Sequence, residues 1–274
     1  PPEVRTATYE AGFDDGSLNG ILGAYTDLLS DRAANETAAE YVRERIRAMV
    51  DDADVAEALV PKEYPIGAKR LCLDTGYFAT YNRENVSLVD LRATPIVEVT
   101  KAGIRTSEAE HELDDIVLAT GFDAVTGSLL RLDIRSATTS LRETWSTGPR
   151  SYLGIAVSGF PNLFTITGPG SPSVVSNVIV AIEQHVEWIT DLLVATRESG
   201  TTRIEADVDA EDDWVGHVNH LADETLYPAA NSWYLGANVP GKPRVFLAYV
   251  GGIGRYQEVL DDVAAQGYRG FTLT

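Results

Sequence analysis

The sequence predicts an α/β fold, and three features predict it. Two apolar runs stop abruptly at glycines: Ile116-Val117-Leu118-Ala119 before Thr120-Gly121, and Phe160 to Thr167 before Gly168-Pro169-Gly170. Runs of that length bounded by turn formers read as short buried strands. Between and after them lie stretches of helical period, the longest from about Asn177 to Arg197. The third feature is size: 274 residues with 44% apolar content suffice for one large domain or two smaller ones with a real core.

In chain order, residues 1 to 37 read as irregular, because Gly12, Gly16, Gly20 and Gly23 interrupt them. Asn35-Glu36-Thr37 opens a helix to about Val50. Tyr41, Val42, Ile46, Met49 and Val50 share one face, and Arg43, Glu44, Arg45 and Arg47 fill the rest. A short helix from Val55 to Leu59 stops before Pro61. Val86 to Val89 and Ile96 to Val99 read as strands flanking Pro95, and Lys101-Ala102-Gly103 as a hairpin turn into Ile104-Arg105-Thr106. His111-Glu112-Leu113 and the Ile116 strand complete a β-meander suited to half of a nucleotide-binding domain. Arg131 to Arg135 alternates as an edge strand would. Residues 203 to 226 give a strand and a helix, Val245 to Val250 a strand, Arg255 to Ala265 a helix, and Phe271 to Leu273 a last strand.

Acids outnumber bases 41 to 22, a net charge of −19, which argues against nucleic acid or an anionic membrane surface as a partner. It leaves room for a local basic pocket. One cysteine, Cys72, excludes an internal disulfide and suits a reducing cytoplasm; in Leu-Cys-Leu it reads as a small buried apolar residue. No apolar run is long enough to span a membrane and no signal peptide is visible. Pro1-Pro2-Glu3 lacks an initiator Met and reads as the start of a fragment or processed product.

Three stretches carry chemistry. Lys69-Arg70, between a Gly-Ala turn and Leu71-Cys72-Leu73, is either a solvated basic pair or a pair of cations facing a phosphate. The strand, glycine-rich loop and helix start from Phe160 to Asn177 form a ready polar-ligand site, because unpaired N–H groups converge there. It is neither a Walker loop nor a Gly-x-Gly-x-x-Gly fingerprint, and Gly251-Gly252-Ile253-Gly254 falls late with the wrong spacing. The turn-rich stretch from Ser232 to Pro243, with Trp233 and Tyr234 at its head, is a packed loop or a ligand-covering one. His185, His217 and His220 lack matched ligand spacing, so no metal site is expected.

Lys69-Arg70, then Tyr81-Asn82-Arg83-Glu84-Asn85-Val86, then Ala119-Thr120-Gly121-Phe122-Asp123, then Gly168-Pro169-Gly170-Ser171-Pro172, then Trp233 to Lys242 occur in that order. Together they resemble the C-terminal half of a type I Baeyer–Villiger monooxygenase, over essentially the whole chain. The resemblance implies FAD and NADPH as cofactors, and insertion of one oxygen of O2 next to a ketone carbonyl through a C4a-peroxyflavin, giving an ester or lactone. It implies Arg70 as the catalytic cation over the flavin, Lys69 on the 2′-phosphate of NADP, and Trp233 as a cofactor contact from a mobile loop. It places Asn177 and Val178 at the helix start aimed at the flavin, Ser173 and Val174 in the substrate pocket, and Phe122-Asp123 at the interdomain hinge.

The departure from the family is in what the chain lacks. The FAD fingerprint, the Phe-x-Gly-x-x-x-His-x-x-x-Trp-Pro motif and the NADP fingerprint are all absent. The resemblance therefore divides the chain into the trailing part of a helical subdomain (1–65), the second, β-rich half of an NADP domain (66–118) and the C-terminal half of a FAD domain (119–274). Such half-domains should expose apolar faces and need a missing N-terminal half as partner, so the isolated chain is expected to be inactive. Two rival readings stand beside it: a non-catalytic half that folds only with a separate N-terminal partner, and a flavin monooxygenase that oxygenates heteroatoms.

Overall fold

The computed structural model describes residues 1–17, 19–172 and 176–274. Helices and small antiparallel sheets combine in two compact units, Pro1–Gly121 and Phe122–Thr274.

In the first unit, α1 (Pro2–Asp14) occupies part of what reads as an irregular stretch. Pro2 sits at the helix start, where its missing N–H costs nothing. Gly12 is not a breaker: a Cβ there would collide with the carbonyl of Gly20, so it is a close-approach glycine inside the helix. Helix α2 (Arg32–Met49) begins three residues before Asn35, because Asp31 is the cap and accepts from Ala34 N at 2.7 Å. Asn35 lies within the helix and is buried. Its side-chain amide donates to Leu28 O (2.7 Å) and Ile66 O (2.9 Å) and accepts from Ile66 N (3.0 Å). Arg43, also buried, is held by Glu36 at 2.5 Å, Glu40 at 3.0 Å and Pro61 O at 2.9 Å. Asp52 caps α3 (Ala53–Leu59), and α4 (Tyr77–Thr80) is a single turn.

Strands β1 (Ile96–Val99), β2 (Gly103–Thr106) and β3 (Glu110–Glu112) form an antiparallel sheet in that order, with Val99 opposite Ile104 and Ile104 opposite His111. The hairpin lies where the sequence places it. Gly103 is required there because a Cβ would run into the carbonyl of His111. Two strands expected in this unit do not form among the described residues. Val86 closes a turn onto Arg83 O (3.0 Å) instead of entering a ladder. The run from Ile116 to Ala119 joins no strand among the described residues, and its side chains are exposed: Val117 88% and Leu118 81%. Its apolar character matches a buried strand, but a strand needs a ladder partner for its backbone. Cys72 is exposed as well, next to Leu71, which packs on the core of this unit.

In the second unit the edge strand expected at 131–135 is replaced by α5 (Gly127–Arg131) and a lone bridge from Arg135 to Ser140. The alternation there is that of a turn. A Ser140–Glu143 capping box starts α6 (Leu141–Thr144). Helix α7 (Val178–Glu198) is capped by Asn177 as its sequence implies. Strand β4 (Ile204–Ala206) pairs antiparallel with β5 (Phe271–Leu273), and α8 (Val208–Asp223) and α9 (Ile253–Ala265) pack over them. Their shared core holds Trp188, Leu192, Trp214, Tyr249, Tyr256 and Leu260. The apolar stretches 160–167 and 245–250 make only isolated bridges, Ala156 with Phe164 and Ser171 with Ala248. Outward on α7, Val178, Ile179, Val186, Leu193 and Val194 are exposed, and so are Ile96, Val97 and Val99 of β1 in the first unit.

Replacing Asn35 with Ala removes three buried hydrogen bonds and orphans the amide of Ile66. The expected loss is about 2–4 kcal/mol of stability, read as a lower midpoint in denaturant unfolding; an unchanged midpoint would contradict the role given to this side chain.

Candidate functional site

The chain approaches Lys69-Arg70 through Pro65, Ile66, Gly67 and Ala68, all buried. Gly67 adopts a φ of +83° and packs so closely on Leu22 and Leu29 that a Cβ has no room. Asn35 holds Ile66 at both backbone atoms, so the turn that delivers the two cations is fixed from beneath. Lys69 is half-buried with its Nζ 4.3 Å from the ring centre of Tyr64, a cation–π contact. Arg70 is exposed, at the start of the stretch that carries Cys72. The first unit thus presents two adjacent cations on a rigid turn.

In the second unit the chain reaches α7 through the glycine-rich loop. Thr167 (φ +52°) donates its N–H to His185 Nδ1 at 3.0 Å. That fixes the proton on Nε2, which faces Tyr256 Oη at 2.7 Å, and Tyr256 donates in turn to Leu153 O at 2.5 Å. Both rings are buried. Burial pushes the His185 imidazole down to about 4 and the Tyr256 phenol well up. Further along the loop, Ser171 Oγ donates to Gly168 O (2.8 Å), Gly170 N to Leu247 O (3.0 Å) and Trp214 Nε1 to Gly170 O (3.2 Å).

Helix α7 then begins with an apolar, exposed first turn. Asn177 Oδ1 accepts from Ile179 N at 3.0 Å, and Val178, Ile179 and Val180 face outward. Ser176 Oγ and Gln184 Oε1 are buried without a hydrogen-bond partner among the described residues. A helix start with apolar side chains and positive dipole suits a flat apolar group bearing negative charge. Ser173 and Val174 lie outside the described residues.

Trp233 opens a short 3-10 turn (Trp233–Leu235), half-buried with its ring 4.4 Å from that of Tyr234. The loop it heads is tied to Phe122 and Asp123. Asn238 Nδ2 donates to Phe122 O (2.9 Å), and Lys242 Nζ meets Asp123 Oδ1 at 2.5 Å and Ala124 O at 3.2 Å. Phe122 itself is 89% exposed. Sequence reasoning gave Lys242 and Asn238 no role, and saw His185 only as a poor metal ligand. Their partners stand 119, 116 and, for Tyr256, 71 residues away, beyond any local pattern. His217 packs beside the stacked rings of Trp214 and Tyr249, and His220 lies 3.5 Å from Glu224. Among the described residues no group of three or more His, Cys, Asp or Glu is placed to hold a metal.

No family model matches the chain. An acetone monooxygenase (methyl acetate-forming) from a Gordonia species is 41% identical over 276 residues, covering 100% of this chain and 52% of the relative. A Baeyer–Villiger monooxygenase from Pseudooceanicola batsensis is 42% identical over 270 residues, covering 97% and 49%. The chain is homologous to one half of a Baeyer–Villiger monooxygenase. Among solved structures, a complex of OTEMO with FAD and NADP matches at a TM-score of 0.95 and 39% identity, over 100% of this chain and 51% of that one. A steroid monooxygenase bound to NADP matches at 0.91 and 47%, over 99% and 50%. A phenazine N-monooxygenase from Lysobacter antibioticus is 38% identical over 274 residues, 99% of this chain and 50% of its own. The chain spans about half the length of the relatives it matches, which agrees with the C-terminal half of a Baeyer–Villiger monooxygenase that its motifs indicate.

The His185 network carries a pH signature. Folding lowers the imidazole from 6.5 to about 4, so the unfolded chain binds the proton more readily. The stability this group contributes is complete above pH 6.5 and is lost as pH falls toward 4. Between pH 7 and pH 4 the wild type should lose about 3 kcal/mol more unfolding free energy than a His185→Gln variant. Parallel losses in denaturant titrations of the two would contradict the buried neutral imidazole.

Proposed function

We propose that the chain forms part of a FAD- and NADPH-dependent Baeyer–Villiger monooxygenase that converts a ketone, with O2, into an ester or lactone. The observation that carries this reading is the whole-length match to half of that family. The residues present fit the cofactors: two cations on a braced turn suit phosphate and developing negative charge, and the apolar start of α7 suits a flavin ring.

Bound FAD, reduced by NADPH, would supply the activated oxygen. The chain's own residues bind and orient around it. The guanidinium of Arg70 would stabilise negative charge on the reacting oxygen and on the ketone adduct. Lys69 would reach the 2′-phosphate of NADP, which favours NADPH over NADH. Trp233 would contact the nicotinamide cofactor from its loop, and Asn177 and Val178 would set the positive end of α7 toward the flavin. Ser173 and Val174 would shape the ketone pocket, and Phe122-Asp123 would serve as the hinge.

The exposed apolar residues of β1, of 116–118 and of α7 support a further part of the proposal: additional polypeptide packs on these faces and supplies the units that grip the cofactor pyrophosphates. The same faces favour a second reading, a non-catalytic half that folds only with a separately encoded partner. Co-expression with an N-terminal half should then restore solubility and flavin. The likeness to a phenazine N-monooxygenase keeps heteroatom oxygenation as a third reading, which the Lys69-Arg70 pair and the Trp233 loop disfavour. A cytoplasmic location belongs to this proposal too; among the described residues no helix is long and apolar enough to cross a membrane.

In the full-length protein, Arg70→Ala should cut ester formation by at least about 100-fold and leave NADPH-driven flavin reduction within a few-fold of wild type. Stopped-flow absorbance and product chromatography read the two steps, and equal loss of both would contradict the role of Arg70. The isolated 274-residue chain, given FAD, NADPH and a ketone, should make no ester. Ester from that mixture would overturn the prediction that the chain alone is inactive.

A further inference from the structure

The tie between Lys242 and Asp123 is built at both ends. The Lys242 side chain is only 8% exposed, and Asp123 Oδ1 meets its ammonium at 2.5 Å. Burying a cation is costly without a paired and hydrogen-bonded partner. Two glycines make the room. A Cβ on Gly127 would collide with the Asp123 side chain, and one on Gly236 (φ +68°) would crowd the Lys242 stem. Ala124 O accepts a further hydrogen bond from Lys242, and Asn238 holds the neighbouring Phe122 carbonyl.

The loop between is a connected unit. Gly236 N bonds to Trp233 O, Ala237 N to Ser232 O, Val239 N to Gly236 O and Lys242 N to Val239 O. One end is pinned to the core through buried Tyr234, whose carbonyl accepts from Leu247 N at 2.8 Å. The other end is pinned by Lys242. Ala237 packs against the core, and beyond it Asn238 and Lys242 tie the loop to residues 122–124.

We propose that Lys242 is a positioning residue for the nicotinamide cofactor: paired with Asp123, it holds the Trp233 loop in place on the segment with which the second unit begins. The inference rests on the reading above, in which Trp233 contacts NADPH. It makes the loop and segment 122–124 move as one body, so a displacement of that segment carries the loop with it.

The test uses the full-length protein with three variants: Lys242→Met, Asn238→Ala and the double Lys242→Met/Asp123→Asn. Amide hydrogen exchange of Gly236, Ala237 and Val239 reads the anchor, and steady-state kinetics read its consequence. In Lys242→Met, exchange should quicken and KM for NADPH should rise roughly tenfold, with KM for the ketone and kcat at saturating NADPH within about twofold. The double variant should be no worse than the single, because both remove one interaction. Asn238 is exposed, so Asn238→Ala keeps the test alive if Lys242→Met fails to fold; it should move both readouts the same way by a smaller factor. Quickened exchange with an unchanged KM for NADPH, or no change in exchange, overturns the proposal. A wild type that consumes no NADPH overturns the functional reading, and the positioning role goes with it.

Discussion

The second unit depends on a buried line of hydrogen bonds from Thr167 through His185 and Tyr256 to Leu153. A fully buried imidazole is tolerated only when both nitrogens are paired and the ring stays neutral. Here one nitrogen accepts and the other faces a phenol that passes its own proton on to a carbonyl. The line joins three elements distant in sequence: the glycine-rich loop, α7 and α9. It also holds Thr167 in a backbone conformation that a non-glycine residue rarely adopts. It also anchors α7 at His185, on the helix whose start is proposed to face the flavin. In the first unit Asn35 has a comparable task, bracing from below the turn that presents Lys69 and Arg70.

Much of this was legible in the sequence where local rules operate. Asn177 as a cap, the long helix after it, the hairpin at Lys101–Gly103 and the strand at Phe271 all follow from caps, periodicity and turn residues. Errors arose where partners decide. Ile116-Val117-Leu118 has the composition of a buried strand, yet its ladder partner is absent among the described residues and the side chains are exposed. Gly12 looks like a breaker and is a contact glycine, because the neighbour that requires it is Gly20 across a turn. Cys72 follows the same logic as Ile116: apolar neighbours in sequence did not bury it. The site residues divide likewise. The roles proposed for Lys69, Arg70 and Trp233 come from motifs, whereas the ties of Lys242 and Asn238 and the pairing of His185 depend on contacts between residues distant in sequence.

The exposed apolar faces and the half-length match are two views of one constraint. A sheet edge or helix stripe that lacks its complement must meet other polypeptide or stay in water at a cost. Val117, Leu118, Phe122 and the outer stripe of α7 are such surfaces, and the relatives carry about as much chain again. That chain would have to supply the phosphate-gripping glycine turns that this sequence lacks. On the proposed function, Lys69-Arg70, the start of α7 and the Trp233 loop would be one share of an oxygenating site, with the other share on further polypeptide.

A visible absorption spectrum of the purified protein, taken with its intact mass, shows whether these 274 residues build a complete flavin site or only part of one. A protein of this chain's mass should show no flavin band, and a polypeptide or complex about twice as large should show one. A flavin band at the mass of the chain alone would contradict a partial site, since the chain would then build a FAD site without the units assigned to the other half.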